Sequence, residues 1–161
     1  PKFIERLNEV PFPQFEKTLD TLLRRMSPSK LQVVNRRKDG GLDWAASFGF
    51  PQNNISLLVA ARRWTGKRVL AVEHLVEVRG QMERHNFNAG AVVTLGEIGP
   101  ELAEDVRNSP RMPLFLVGGK DLVDLMLRFE VGIVLGAGGT FLVDDGFWSG
   151  PSAERQRSRC K

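Results

Sequence analysis

Cysteine is almost absent from the 161-residue chain: there is one, Cys160, alongside only two histidines, His74 and His85. A single thiol cannot close an internal disulfide, which points to a reducing, cytoplasmic setting. One Cys and two His also fall short of the four N or S ligands that a structural zinc ion requires. Long apolar runs are missing as well. The longest, Val131 to Val143, is broken by four glycines and is shorter than the roughly 20 residues of a membrane-spanning helix. No signal-peptide pattern, internal repeat or low-complexity linker is visible. With 42% hydrophobic and 26% charged residues, the chain has enough apolar material to bury a core and is not of disordered composition.

The net charge of +4 is unevenly spread. Residues 1–38 hold nine Lys and Arg against four Asp and Glu; residues 39–150 hold ten against fourteen; the stretch from Pro151 holds four against one. Basic ends and local basic clusters suit a phosphate-bearing partner, and solvated faces account for them equally well.

After Pro11-Phe12-Pro13, the residues Phe15, Leu19, Leu22, Leu23 and Met26 recur at helical spacing, and Ser27-Pro28 ends the pattern. Leu31 to Asn35, Leu42 to Phe48 and Ile55 to Trp64 read as three successive strands. In the third, Ile55, Leu57, Val59 and Ala61 share one face, and Leu58, Ala60 and Arg62 the other. Alternation follows: a helix marked by Val72, Leu75, Val76 and Met82 and ending near His85, a strand over Ala91 to Leu95, a short helix carrying Ile98, Leu102 and Val106, a strand over Leu114 to Val117, and a helix over Leu122 to Phe129. A meander followed by such alternation predicts an α/β fold with a mixed sheet flanked by helices. The domain is expected to occupy residues 1–143, with 144–161 a polar, mobile tail.

Three features then line up: Phe15-Glu16 in the first helix, Asp39-Gly40-Gly41-Leu42-Asp43 leading into a strand, and Val59-Ala60-Ala61-Arg62-Arg63-Trp64 closing the next. In this order and spacing they resemble the Mrr-like restriction endonucleases, a branch of the PD-(D/E)xK nuclease superfamily. Gly90-Ala91-Val92-Val93-Thr94 and Leu116-Val117-Gly118-Gly119-Lys120-Asp121-Leu122 fit the later part of that family, so the resemblance spans about residues 14–135. It implies a restriction-endonuclease-like fold of αβββαβαβ order, a DNA partner, no membrane, and hydrolysis of phosphodiesters with Mg²⁺ or Mn²⁺. A homo-oligomer or further domains of a longer chain stay open.

The chemistry behind the pattern is general. A divalent cation polarises the phosphate and activates water. Being hard, magnesium seeks carboxylate, carbonyl and water oxygens. On the resemblance, Asp43 matches the metal-binding aspartate and Glu16 the helix glutamate; a strand-start turn and a carboxylate favoured by the helix dipole are their plainer readings. The third element departs from the pattern. Ala60 stands where the family has Glu or Gln, and Arg62 where it has Lys. Alanine cannot ligate a metal through its side chain, and arginine cannot shed a proton. Cleavage is therefore expected to be impaired, the catalytic candidates being Asp43, Arg62 and Glu16. Glu73 and Glu77, four apart on one helix face, could supply a migrated carboxylate, and a solvated face is the simpler account.

Arg36, Arg37 and Lys38 flank the Asp43 turn, and Arg62, Arg63, Lys67 and Arg68 enclose Trp64. Such clusters suit phosphate contacts. The alternative reading is a non-catalytic nucleic-acid-binding or protein-interaction module. Gly136-Ala137-Gly138-Gly139 lacks the later Gly and the Gly-Lys-Ser/Thr ending of phosphate loops and reads as a turn. His74 and His85 have no nearby nucleophile and support no hydrolase triad.

Overall fold

A computed structural model describes residues 2–36, 41–49, 52–62, 69–109 and 111–149, the side chains of Lys2 and Arg36 apart. Two helices come first, α1 (Lys2–Glu9) and α2 (Phe12–Arg25), followed by the meander β1 (Lys30–Arg36), β2 (Gly41–Gly49) and β3 (Asn54–Arg62). Next come β4 (Val69–Leu70), α3 (Val72–Arg84), β5 (Ala89–Thr94), β6 (Glu97–Ile98), α4 (Pro100–Arg107), β7 (Leu114–Val117) and α5 (Gly119–Arg128). The chain closes with a hairpin of β8 (Ile133–Leu135) and β9 (Phe141–Val143), turned by a short 3₁₀ segment, and then α6 (Asp145–Ser149).

The main sheet has the order β1-β2-β3-β5-β7. Its first three strands are antiparallel neighbours, and β3, β5 and β7 run parallel. The parallel half needs crossovers, which α3 and α4 provide. Alternation along the strands divides the interior into two layers. Leu42, Trp44, Val59, Ala61, Ala91 and Val93 face α2, α5, α1 and α6. Leu58, Ala60 and Val92 face α3 and α4, meeting Leu75, Val78, Met82 and Leu102. This is the mixed, helix-flanked sheet that the sequence pattern predicts.

Local signals account for the helix limits. Pro11 is extended at the start of α2, where a missing N–H costs nothing, and Ser27, at φ 57°, turns the chain away after Met26. The hairpin turn uses Gly138 and Gly139 at φ 80° and 76°, so the glycine run is a turn. Among the described residues no helix is long and apolar enough to cross a membrane.

One expectation shifts within the described residues. Residues 144–149 are not a polar tail: Trp148 of α6 is buried in the α2-side core, and its Nε1 donates to the Gly132 carbonyl at 2.8 Å. Gln14 Nε2 in turn donates to the Phe147 carbonyl at 2.8 Å. The third strand is described to Arg62; Arg63 and Trp64, like residues 151–161, lie outside the described residues.

Candidate active site

The site assembles at one end of the sheet. Register places Asp43 opposite Ala60 and Gly41 opposite Arg62. Because strand side chains alternate, Asp43, Ala60 and Arg62 share the face that α3 covers. Asp43 is fully buried, and Arg62 is 3% exposed. Arg62 Nη1 donates to Asp43 Oδ1 at 2.8 Å and to the carbonyl of Ala61 at 2.9 Å.

A third residue joins through an irregularity in β1. Gln32 pairs with Ala45 and Val33 with Trp44, after which the register shifts and Asn35 pairs with Asp43. Strict alternation from Gln32 would aim Asn35 at the α2 face. The extra residue, Val34, forms a bulge that re-aims it, as bulges do beside functional sites. Asn35 Nδ2 then donates to Asp43 Oδ2 at 3.2 Å. Each carboxylate oxygen of Asp43 therefore meets a protein donor. A buried carboxylate demands such compensation, since an unpaired charge in a low-dielectric interior is very costly.

The remaining expected residues divide into three groups. Glu16 is half-buried on α2, the helix that covers the opposite face from Asp43. Glu73 and Glu77 are exposed on α3, whose buried side is formed by Leu75, Val78 and Met82. Among the described residues no group of three or more His, Cys, Asp or Glu is arranged to hold a metal ion. Arg37, Lys38, Arg63, Trp64, Lys67 and Arg68 lie outside the described residues, and of Arg36 only the backbone is described. Backbone register nevertheless sets Arg36 opposite Leu42 and Arg62 opposite Gly41, so the last described residues before the two basic runs both flank the start of β2. Asn35 carries no signal in the sequence, because its orientation depends on the bulge.

A restriction endonuclease family model, Mrr_cat, matches residues 7–126. The chain belongs to this restriction endonuclease family. Among solved structures, the DNA modification-dependent restriction endonuclease AspBHI is similar, with a TM-score of 0.62 and 21% identity over 94% of this chain and 38% of its own. The MspJI restriction endonuclease, solved in complex with a 27-mer oligonucleotide, is similar at a TM-score of 0.53 and 15% identity, over 92% of this chain and 31% of its own. At these identities the likeness is one of fold, and the chain spans well under half the length of either enzyme. No curated protein matches the chain. Within the restriction endonuclease frame, the strand pair that should converge on a cation instead sets a carboxylate opposite an alanine and ties it to an arginine.

Proposed function

We propose that this domain binds DNA and is impaired in cleaving it. The observation that carries the reading is the Asp43–Arg62 pair. Both Asp43 oxygens accept from protein donors, one of them cationic, and the residue facing Asp43 across β2 and β3 is Ala60. A magnesium site takes one or two carboxylates together with waters and substrate phosphates. Here one carboxylate is already neutralised and the neighbouring position offers a methyl group. This donor set does not fit Mg²⁺ or Mn²⁺, so no hydrolytic step through a cation is derived.

The DNA half of the reading rests on the family, on the basic residues that follow Arg36 and Arg62 in the sequence, two positions whose backbones flank the start of β2, and on the oligonucleotide complex of MspJI. Contacts from such runs to phosphates would position the domain with little base preference.

The test pairs two measurements. Fluorescence anisotropy with a labelled duplex should give an affinity that falls steeply with added salt. Plasmid nicking in Mg²⁺ or Mn²⁺ should be equally negligible for the wild type and Asp43→Asn. Nicking by the wild type that Asp43→Asn abolishes would show an intact nuclease and sink the impaired-cleavage reading. An affinity indifferent to salt would overturn the DNA reading and leave the protein-interaction module.

A further inference from the structure

A groove of about 440 Å³ opens on the α3 face beside the buried pair, within the roughly 300–1,000 Å³ of small-ligand sites. Its floor is Leu58, Ala45 and Val34. Its polar wall is unusually rich in amides, with Gln32 and Asn35 from β1 and Gln81 from α3; Arg84 and His85 close the end of α3, and Phe87 follows them. Among the described residues no carboxylate lines it. The bulge at Val34 brings both Val34 and Asn35 to this wall, and Asn35 joins it to Asp43. Among the described residues, the side chains of Gln32, Gln81, Arg84 and His85 make no hydrogen bond or ion pair, so their donors and acceptors are available to a ligand.

We propose that this groove receives one nucleoside monophosphate unit, supplied by an unpaired nucleotide of the DNA that the domain binds. An amide offers a donor and an acceptor side by side, which is what the edge of a base requires. Phe87 and the aliphatic floor give the base a flat apolar contact, as stacking side chains do for unstacked bases. Arg84 and His85 supply N–H donors where the phosphate would lie, with no opposing negative charge among the described lining residues. A partner of apolar protein surface would leave the Gln32 and Gln81 amides and the Arg84 guanidinium unpaired, so the lining disfavours it. The inference rests on the DNA reading above and adds the form of DNA recognised.

The experiment compares a fully paired duplex, the same duplex with one extra unpaired nucleotide, and free dAMP, by anisotropy and by calorimetry. The expected result is about tenfold tighter binding of the duplex with the unpaired nucleotide. Gln81→Leu and Gln32→Leu, each checked for folding by thermal melting, should bring that ratio close to one. Equal affinity for the two duplexes, or a ratio that survives both variants, overturns the groove proposal while leaving DNA binding intact. Binding of dAMP without either duplex makes the groove a free-nucleotide site and overturns the DNA source. Binding of none of the three overturns the groove proposal together with the reading beneath it.

Discussion

Arg62 Nη1 lies 2.8 Å from Asp43 Oδ1, and the two side chains are only 4% and 0% exposed. In a strand pair of this family, a cation is expected to occupy the space in front of the aspartate. Here a guanidinium from the neighbouring strand is bonded to it, so the charge the carboxylate needs is supplied by the chain itself. Such a pair gains little net stability over an apolar substitute, yet it is expensive to break. The Arg62 guanidinium is thus bonded to groups inside the domain, the Asp43 carboxylate and the Ala61 carbonyl.

The energetic consequence is a specific asymmetry. Arg62→Ala or Asp43→Ala each leaves one buried charge unpaired and should cost about 3–5 kcal/mol. The double variant Asp43→Leu/Arg62→Met removes both charges and should lie within about 1 kcal/mol of the wild type, or above it. Urea unfolding of the four proteins measures these differences. Single variants within about 1 kcal/mol of the wild type would mean that water or another donor compensates the remaining charge.

If impairment resides at two positions, restoring both should restore cation binding. Ala60→Glu/Arg62→Lys places a carboxylate opposite Asp43 and exchanges the forked guanidinium for a compact ammonium. Added Mn²⁺ should stabilise the double variant by about 2.7 kcal/mol at a hundredfold excess over Kd, read as a higher melting temperature. The wild type should not respond. Nicking in Mg²⁺ should appear alongside and vanish when Asp43→Asn is added. No response to Mn²⁺ in the double variant would place the defect elsewhere than Ala60 and Arg62.

The strand carrying Ala60 and Arg62 is legible from sequence because its period of two is clean, with Val59 and Ala61 reaching one core and Leu58 and Ala60 the other. Asp43 is legible because glycines introduce it and apolar residues surround it. Other features depend on contacts distant in the chain. The bulge at Val34 has no glycine or proline beside it to mark it and is set by pairing with β2. Helix α1 has only eight residues, and its buried Leu7 needs α5 to complete the pattern. The strands β4 and β6 contain two residues each and exist only through each other. Trp148 follows Asp144, Asp145 and Gly146, which read as polar chain; its burial comes from Gly132, sixteen residues earlier.

That last contact is itself testable. A Cβ built on Gly132 would lie 2.8–2.9 Å from the Cζ2, Cε2 and Nε1 atoms of Trp148, at a φ of +67°. The indole cannot easily retreat, since its Nε1 is bonded to the Gly132 carbonyl. Gly132→Ala should therefore destabilise by about 2–4 kcal/mol, combining backbone and steric terms. Gly138→Ala, at φ +80° with nothing within 4 Å, carries the backbone term alone and should cost about 1–2 kcal/mol. Trp148→Ala should cost about 3–5 kcal/mol. Thermal unfolding of the three variants separates these contributions. A neutral Trp148→Ala would return residues 144–149 to the polar tail.

The burial of Arg62 sets the final expectation, for the salt dependence of DNA binding. Each phosphate neutralised on duplex DNA adds about 0.9 to the slope of log Kobs against log salt concentration. Arg63→Gln/Lys67→Gln/Arg68→Gln removes three cations from the second basic run and should flatten that slope by about 2–3. Arg62→Met with Asp43→Leu, which deletes a charge the sequence alone would count in the same cluster, should leave the slope within error of the wild type, because the Arg62 guanidinium is bonded to Asp43 and the Ala61 carbonyl inside the domain. Anisotropy titrations at several salt concentrations supply both slopes. A loss of about one unit in the Arg62 variant would mean that this side chain leaves Asp43 to meet a phosphate, which would reopen the carboxylate to a cation when DNA is bound.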